Sequence, residues 1–127
     1  MALVNLKEKA ISLLSTTTVS LAANAQTTLF TVPAGKRCVL HGALLVAGAD
    51  AGTTTCTIGQ VGALTDFLGT QTLSGVNAEY DAAWMEPVPN STPVMRKSYA
   101  AGTVIQMDVG AHAGGATNTV FLFGVLY

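Results

Sequence analysis

The strongest pattern in the chain is an alternation of apolar and polar positions on either side of a short break. In residues 27–32 (TTLFTV), Thr28, Phe30 and Val32 project to one face and Leu29 and Thr31 to the other, following the two-residue period of a strand. Pro33-Ala34-Gly35-Lys36 then interrupts the pattern. Pro33 fixes its own φ and has no N–H for a ladder, while Gly35 tolerates the positive φ that many turns need. Residues 37–46 (RCVLHGALLV) resume the run, and the two segments are predicted to pair as a hairpin around that turn. The same grammar recurs downstream. Residues 53–60 alternate Thr with Cys56 and Ile58, and residues 103–109 set Val104, Gln106 and Asp108 against Thr103, Ile105, Met107 and Val109. Residues 117–127 end in VFLFGVLY, an almost unbroken apolar run. It reads as a central strand buried on both faces, by the core on one and by a neighbouring subunit on the other.

Between these runs the pattern is weaker. Gly62, Gly69 and Gly75 punctuate short apolar pieces in residues 61–75, which suits short strands and long loops at one end of a sandwich. Residues 86–93 hold three of the four prolines, so they form a surface crossover or an edge and not a central strand. Residues 94–99 suit a further strand, and residues 48–52 and 110–116 are loops of small side chains. About eight strands at these spacings, with no βαβ alternation, predict an all-β fold: a two-sheet antiparallel β-sandwich, jelly-roll-like, over residues 21–127.

Residues 1–20 differ. Leu3, Val4, Leu6, Ala10, Ile11, Leu13 and Leu14 are apolar, with Lys7, Glu8 and Lys9 between them, which suits an N-terminal arm or a short amphipathic helix. Ala23-Asn24-Ala25 has the small-x-small form of a signal-peptidase site, but Ser12, Ser15, Thr16, Thr17, Thr18 and Ser20 break up the apolar stretch before it, so the segment is read as an arm. The β-branched run in residues 17–23 suits either a first strand or a part of the arm that pairs with a neighbour's sheet edge.

Composition adds an expectation about partners. Half of the 127 residues are hydrophobic and only 10% are charged, a low figure for a domain that meets water on all sides, which points to a surface partly covered by protein and to a homo-oligomer. The net charge of −1 and the scattered Lys and Arg argue against direct nucleic-acid binding. No apolar run approaches the roughly 20 residues of a membrane-spanning helix. Cys38 and Cys56 fall in two candidate strands and read first as buried small hydrophobes, with a disulfide left open should those strands be neighbours.

Candidate chemistry is thin. His41 lies in an apolar strand and His112 in a small-residue loop, neither beside a carboxylate or cysteine at metal-ligand spacing, and they read as a core histidine and a loop histidine. Glu79, Asp81 and Glu86 fall near Tyr80 and Trp84. That cluster reads as a solvated loop or an interface, with a sugar-binding platform as the alternative: Trp84 and Tyr80 would stack, and Glu79 or Asp81 would accept hydroxyl hydrogen bonds. Asp50 and Asp66 lack calcium-loop spacing, the glycine-rich turns lack the setting of a phosphate loop, and Ser74-Gly75 lacks a nucleophile-elbow frame. No catalytic, cofactor or metal site is expected, and the chain does not read as an enzyme.

Three phrases carry a resemblance. FTVPAGKRCVLHGALLV (residues 30–46), YAAGTVIQMDVGA (99–111) and TVFLFGVLY (119–127) resemble segments of small structural proteins of tailed bacteriophages, in which a VPAGK turn, an AAGTVI strand and a hydrophobic last strand build a jelly-roll-like sandwich. The resemblance implies a virion component made in the host cytoplasm. The best fit by size is a decoration or cement protein on the capsid exterior, a homo-oligomer with a trimer favoured, which stabilises the head by bridging major capsid protein subunits. On that reading Leu3, Val4, Leu6, Ile11, Leu13 and Leu14 form the partner-binding arm, and Phe121, Phe123 and Tyr127 form a subunit interface. The alternatives are a tail, neck or fibre-base component, a shell-forming capsid protein, and the sugar-binding module. The arm lacks the basic run that a nucleic-acid-packaging shell protein would carry.

Overall fold

A computed structural model of the protein describes residues 10–88, 95–110 and 117–127. Among these residues there are nine strands and no helix: β1 (Ser12–Ser20), β2 (Ala25–Thr31), β3 (Cys38–Ala47), β4 (Thr55–Gln60), β5 (Ala63–Thr72), β6 (Ala82–Met85), β7 (Ser98–Tyr99), β8 (Val104–Gly110) and β9 (Thr117–Leu126). They form two antiparallel sheets. The larger has the order β1-β9-β3-β6, with β7 also paired to β3, and the smaller has the order β2-β8-β4-β5. The pairings β1–β9, β2–β8, β3–β6 and β4–β5 are nested, as they would be in one long hairpin rolled up into two layers. The predicted two-sheet sandwich is the observed fold.

The core lies between the layers and is built by alternation. Val19, Leu40, Ala43, Leu45, Val120 and Leu122 enter from the larger sheet, and Leu29, Ile58, Leu68, Ile105, Met107 and Val109 from the smaller, all buried. Each large side chain buried in this way contributes about 1.5–3 kcal/mol. Cys38 and Cys56 are free and buried, in strands of opposite sheets, and the Cys56 thiol lies 3.8 Å from the Met85 sulfur.

The predicted hairpin around Pro33-Ala34-Gly35-Lys36 is not a hairpin. Val32 stays with the smaller sheet, donating its N–H to the Thr103 carbonyl (2.9 Å) and accepting from the Gly102 N–H (2.8 Å). Arg37 already belongs to the larger sheet, exchanging both backbone bonds with Tyr127 at 2.7 and 3.0 Å. The turn, closed by Lys36 N–H to the Pro33 carbonyl at 3.3 Å with Gly35 at φ +74°, therefore carries the chain from one layer to the other. Alternation of side chains is the same whether a strand pairs with its successor or crosses to the opposite sheet, so the pattern alone did not separate the two.

Three other expectations change. Residues 12–20, read within the arm or helix, are the edge strand β1, because Thr16, Thr17, Thr18 and Val19 ladder against β9. Ile11, Leu13 and Leu14 thus stand at the start of the sandwich, while Leu3, Val4 and Leu6 lie outside the described residues. The stretch 61–75 holds the ten-residue strand β5, which forms a bulged hairpin with β4. Its glycines and outward threonines hid the alternation. Gly59 is required there, since a Cβ would fall 2.3 Å from the Ala63 carbonyl oxygen. His41 is not a core residue. It is half-buried at a β-bulge between Leu40 and Gly42, beside Trp84 on the outer side of the larger sheet. His112 lies outside the described residues.

Candidate interaction surface

Directly opposed residues in an antiparallel ladder share a face. Because Val120 and Leu122 of β9 point inward, Phe121 and Phe123 point outward, and the register sets their neighbours. One row across the outer face of the larger sheet reads Thr16, Phe121, Leu44, Trp84, and the row beside it reads Leu13, Phe123, Gly42. A sheet face left to water would carry polar side chains at these outward positions. Here they are apolar or uncharged, and Leu13 (51% exposed) and Trp84 (45%) remain open.

The rings are locked together. Trp84 lies against Phe123, with ring centres 5.6 Å apart and planes tilted by 51°, and against His41 at 6.0 Å. The indole also covers Gly42, where an added Cβ would fall 2.5 Å from Trp84 Cζ2. Gly42 therefore creates the seat for Trp84, and the bulge at His41 turns the imidazole toward the same ring.

Two polar clusters brace the edge of this face. Arg37 donates through Nε to Ser98 Oγ (2.9 Å) and through Nη2 to the Ser98 carbonyl (2.7 Å), and Ser98 Oγ is hydrogen-bonded to the Tyr127 hydroxyl. Arg96 donates to the Leu40 and His41 carbonyls, where β3 has neither β6 nor β7 beside it. Its guanidinium lies 3.7 Å from Glu86 and 5.9 Å above the Phe67 ring centre, so one side chain links the larger sheet to the smaller. Asp66 of β5 makes a second link. Its Oδ1 accepts from the Tyr99 hydroxyl (2.7 Å) and the Gln60 N–H (3.2 Å), and its Oδ2 accepts from Gln60 Nε2 (2.7 Å) and lies 3.5 Å from Lys97 Nζ. Burial first, and then the bond to Asp66, holds the Tyr99 hydroxyl well above the usual phenol range. Burial pushes the Cys38 thiol up from 9.0 to about 11 and the Cys56 thiol from 9.0 to about 12. Both are poor nucleophiles at neutral pH.

The residues singled out in the sequence divide. Phe121 and Phe123 fall on the outer face and join Trp84, which had been grouped with the acidic cluster. Tyr127 is exposed, but its hydroxyl is held by Ser98. Asp81 accepts from the Asn77 and Ala78 N–H groups at 3.1 and 3.0 Å and so shapes its own turn. Tyr80 is 79% exposed with φ +70°, at that turn, and the ring neighbours of Trp84 are His41 and Phe123. A shallow groove of 330 Å³ runs between the end of β5 and β6, lined by Thr72, Leu73, Val76, Ala83, Trp84 and Met85 among others. Among the described residues no three His, Cys, Asp or Glu side chains gather to hold a metal ion. Sequence reading missed Leu44, Gly42, Arg96 and Asp66. Cross-strand register places Leu44 and Gly42, and side-chain contacts between distant segments place Arg96 and Asp66.

No protein-family model matches the chain, and no curated protein does. Among solved structures, a chain of the cyanophage Pam1 capsid asymmetric unit is similar, with a TM-score of 0.54 at 16% identity over 91% of this chain and 84% of that one. At that identity the likeness is one of fold.

Proposed function

We propose that the protein is a structural component of a phage virion, a head decoration protein that attaches to capsid subunits through the outer face of its larger sheet. The observation that carries this reading is the apolar outer face, with Leu13, Leu44, Trp84, Phe121 and Phe123 presented together on a chain of low charge. The nested strand pairing supports reading the sandwich as jelly-roll-like, and the likeness to a capsid chain supports a virion setting. Ile11 and Leu13, both more than half exposed, lie where residues 1–9 lead into β1, so the apolar arm positions Leu3, Val4 and Leu6 would extend the same contact. Covering the exposed half of a side chain such as Ile11 or Leu13 contributes about 1 kcal/mol, and the less exposed Leu44, Phe121 and Phe123 contribute less. Repetition over a symmetric shell turns such modest contacts into firm attachment.

The test is to mix purified protein with empty phage heads, remove unbound chains by sedimentation and image the heads. Regular decoration is expected, and the pair Leu13→Ser and Trp84→Ser should abolish it while the circular dichroism of the free protein is unchanged. Heads still decorated by the folded double variant would overturn the assignment of this face.

A further inference from the structure

We infer that the edge of β1 that is unpaired among the described residues is a pairing site for the β1 strand of a second copy of this chain, the two related by a two-fold axis perpendicular to the sheet. The four sheet edges differ in how they are protected. The β6 edge is four residues long, runs into Pro87 and is flanked by Glu86 and Arg96, and β7 beside it is two residues long. The β5 edge carries Asp66 with Lys97 and a twice-bulged ladder. The β2 edge is seven residues, bulged between Thr28 and Phe30, with Pro33 two residues beyond its end. Short strands, prolines, charges and bulges are the means by which proteins keep edges from pairing. β1 has none of these along most of its length. It is nine residues, SLLSTTTVS, without charge or proline, and its one irregularity, between Leu13 and Ser15, leaves Ser15 to Ser20 in unbroken register with β9.

A second copy fits this edge better than a dissimilar strand does. The two-fold keeps inward residues opposite inward residues only if some residue opposes its own copy. With Thr17 at the axis, Ser15 and Val19 meet on the inner side and Thr16 and Thr18 on the outer. No register brings like charges together, because there are none. The larger sheets then run on as one, and the outer apolar rows of the two copies become continuous. Because β1 lies alongside β2, the contact covers the flank of the whole sandwich. A strand of this length spans about 30 Å and two layers with their side chains about 20 Å, so roughly 600 Å² per copy is covered, near 1,200 Å² in all and at the lower bound of specific interfaces. The contact depends on the sandwich alone and not on a role in a virion, and its symmetry is two-fold where the resemblance favoured a trimer.

The experiment is light scattering on the full chain, over a concentration series up to about 100 µM, an interface of this size being expected to dissociate within that range. Thr16 and Thr18 are exposed on the outer side, so the double variants T16K/T18K and T16E/T18E leave the core untouched and place like charges opposite each other in the registers centred on Thr16, Thr17 or Thr18, which include the one drawn here. The wild type should double in mass with concentration, each variant should stay monomeric with unchanged circular dichroism, and an equimolar mixture at low salt should recover the doubled mass. A wild type monomeric throughout overturns the inference and leaves the edge to the chain's own residues 1–9 or to another protein. It is equally overturned by association that survives the lysines, or by Lys and Glu variants that stay monomeric when mixed.

Discussion

Asp66 offers the sharpest test of how the two layers are held together. In Asp66→Ala the Tyr99 hydroxyl and the Gln60 N–H lose their acceptor, and both bonds lie in part-buried surroundings. An unsatisfied buried donor costs about 1–3 kcal/mol, and partial access to water places each of these near the low end. The Lys97 contact, at 3.5 Å with a half-exposed ammonium, adds at most about 0.5 kcal/mol. The loss should therefore be about 2–3 kcal/mol, which lowers the melting temperature by roughly 6–15 °C for a domain of this size. Asp66→Asn keeps an oxygen for Tyr99 and Gln60, and the Gln60 amide can turn to accept from the new NH₂ group. Only charge assistance is lost, about 1 kcal/mol. Urea unfolding with an unchanged m-value is the assay, and the Asp66→Ala and Tyr99→Phe cycle should show a coupling of about 1–2 kcal/mol. An alanine variant within about 0.5 kcal/mol of wild type, or an asparagine variant as costly as alanine, would refute the view that this carboxylate joins the sheets.

Two further predictions follow from the same geometry. Gly42→Ala should displace the indole it seats, costing about 1–2 kcal/mol and shifting the emission of the sole tryptophan to the red, and in a Trp84→Ala background the cost should largely vanish. At high pH the raised thiols bind their protons more tightly in the folded than in the unfolded chain, so their contribution is intact below pH 9.0. It should then fall by up to about 1.4 kcal/mol per pH unit per thiol, until about pH 11 for Cys38 and about pH 12 for Cys56. Urea titrations at stepped alkaline pH, with Cys56→Ala showing the shallower decline, are the measurement, and a flat profile above pH 9.0 would count against the burial of these thiols.

Much of the fold was legible because alternation is a local property. Ile105, Met107 and Val109 are buried along β8 as their spacing requires, and the apolar terminal run is a central strand. The N-terminal segment misled because Leu3 to Leu14 have helical as well as extended spacing, and pairing with β9 decides for a strand from Ser12 onward. β5 was obscured by Gly69 and by exposed threonines, which weaken periodicity without preventing a ladder. The outer face was half visible. Phe121 and Phe123 stood out as apolar, but nothing local separates them from core, and Leu44 and Trp84 join them only through register across two further strands.

Sequence alone establishes that the chain is all-β, where most turns fall, which residues share a face in an unbulged strand such as β8, and that little surface charge is available. Those properties follow from the two-residue period, from Pro and Gly backbone limits and from composition, each set within a few residues. The bulge between Thr28 and Phe30, by contrast, brings Leu29 and Val32 both into the core against the simple alternation. Which strand pairs with which, and hence that the VPAGK turn crosses between layers, was decided by the tertiary structure. So was the gathering of His41, Trp84 and Phe123 outside and of Asp66, Gln60 and Tyr99 at the joint between sheets. Strand partners, edges and contacts between layers are set by pairs of residues far apart in the chain, and the free energy of pairing belongs to both members, so neither segment carries it alone.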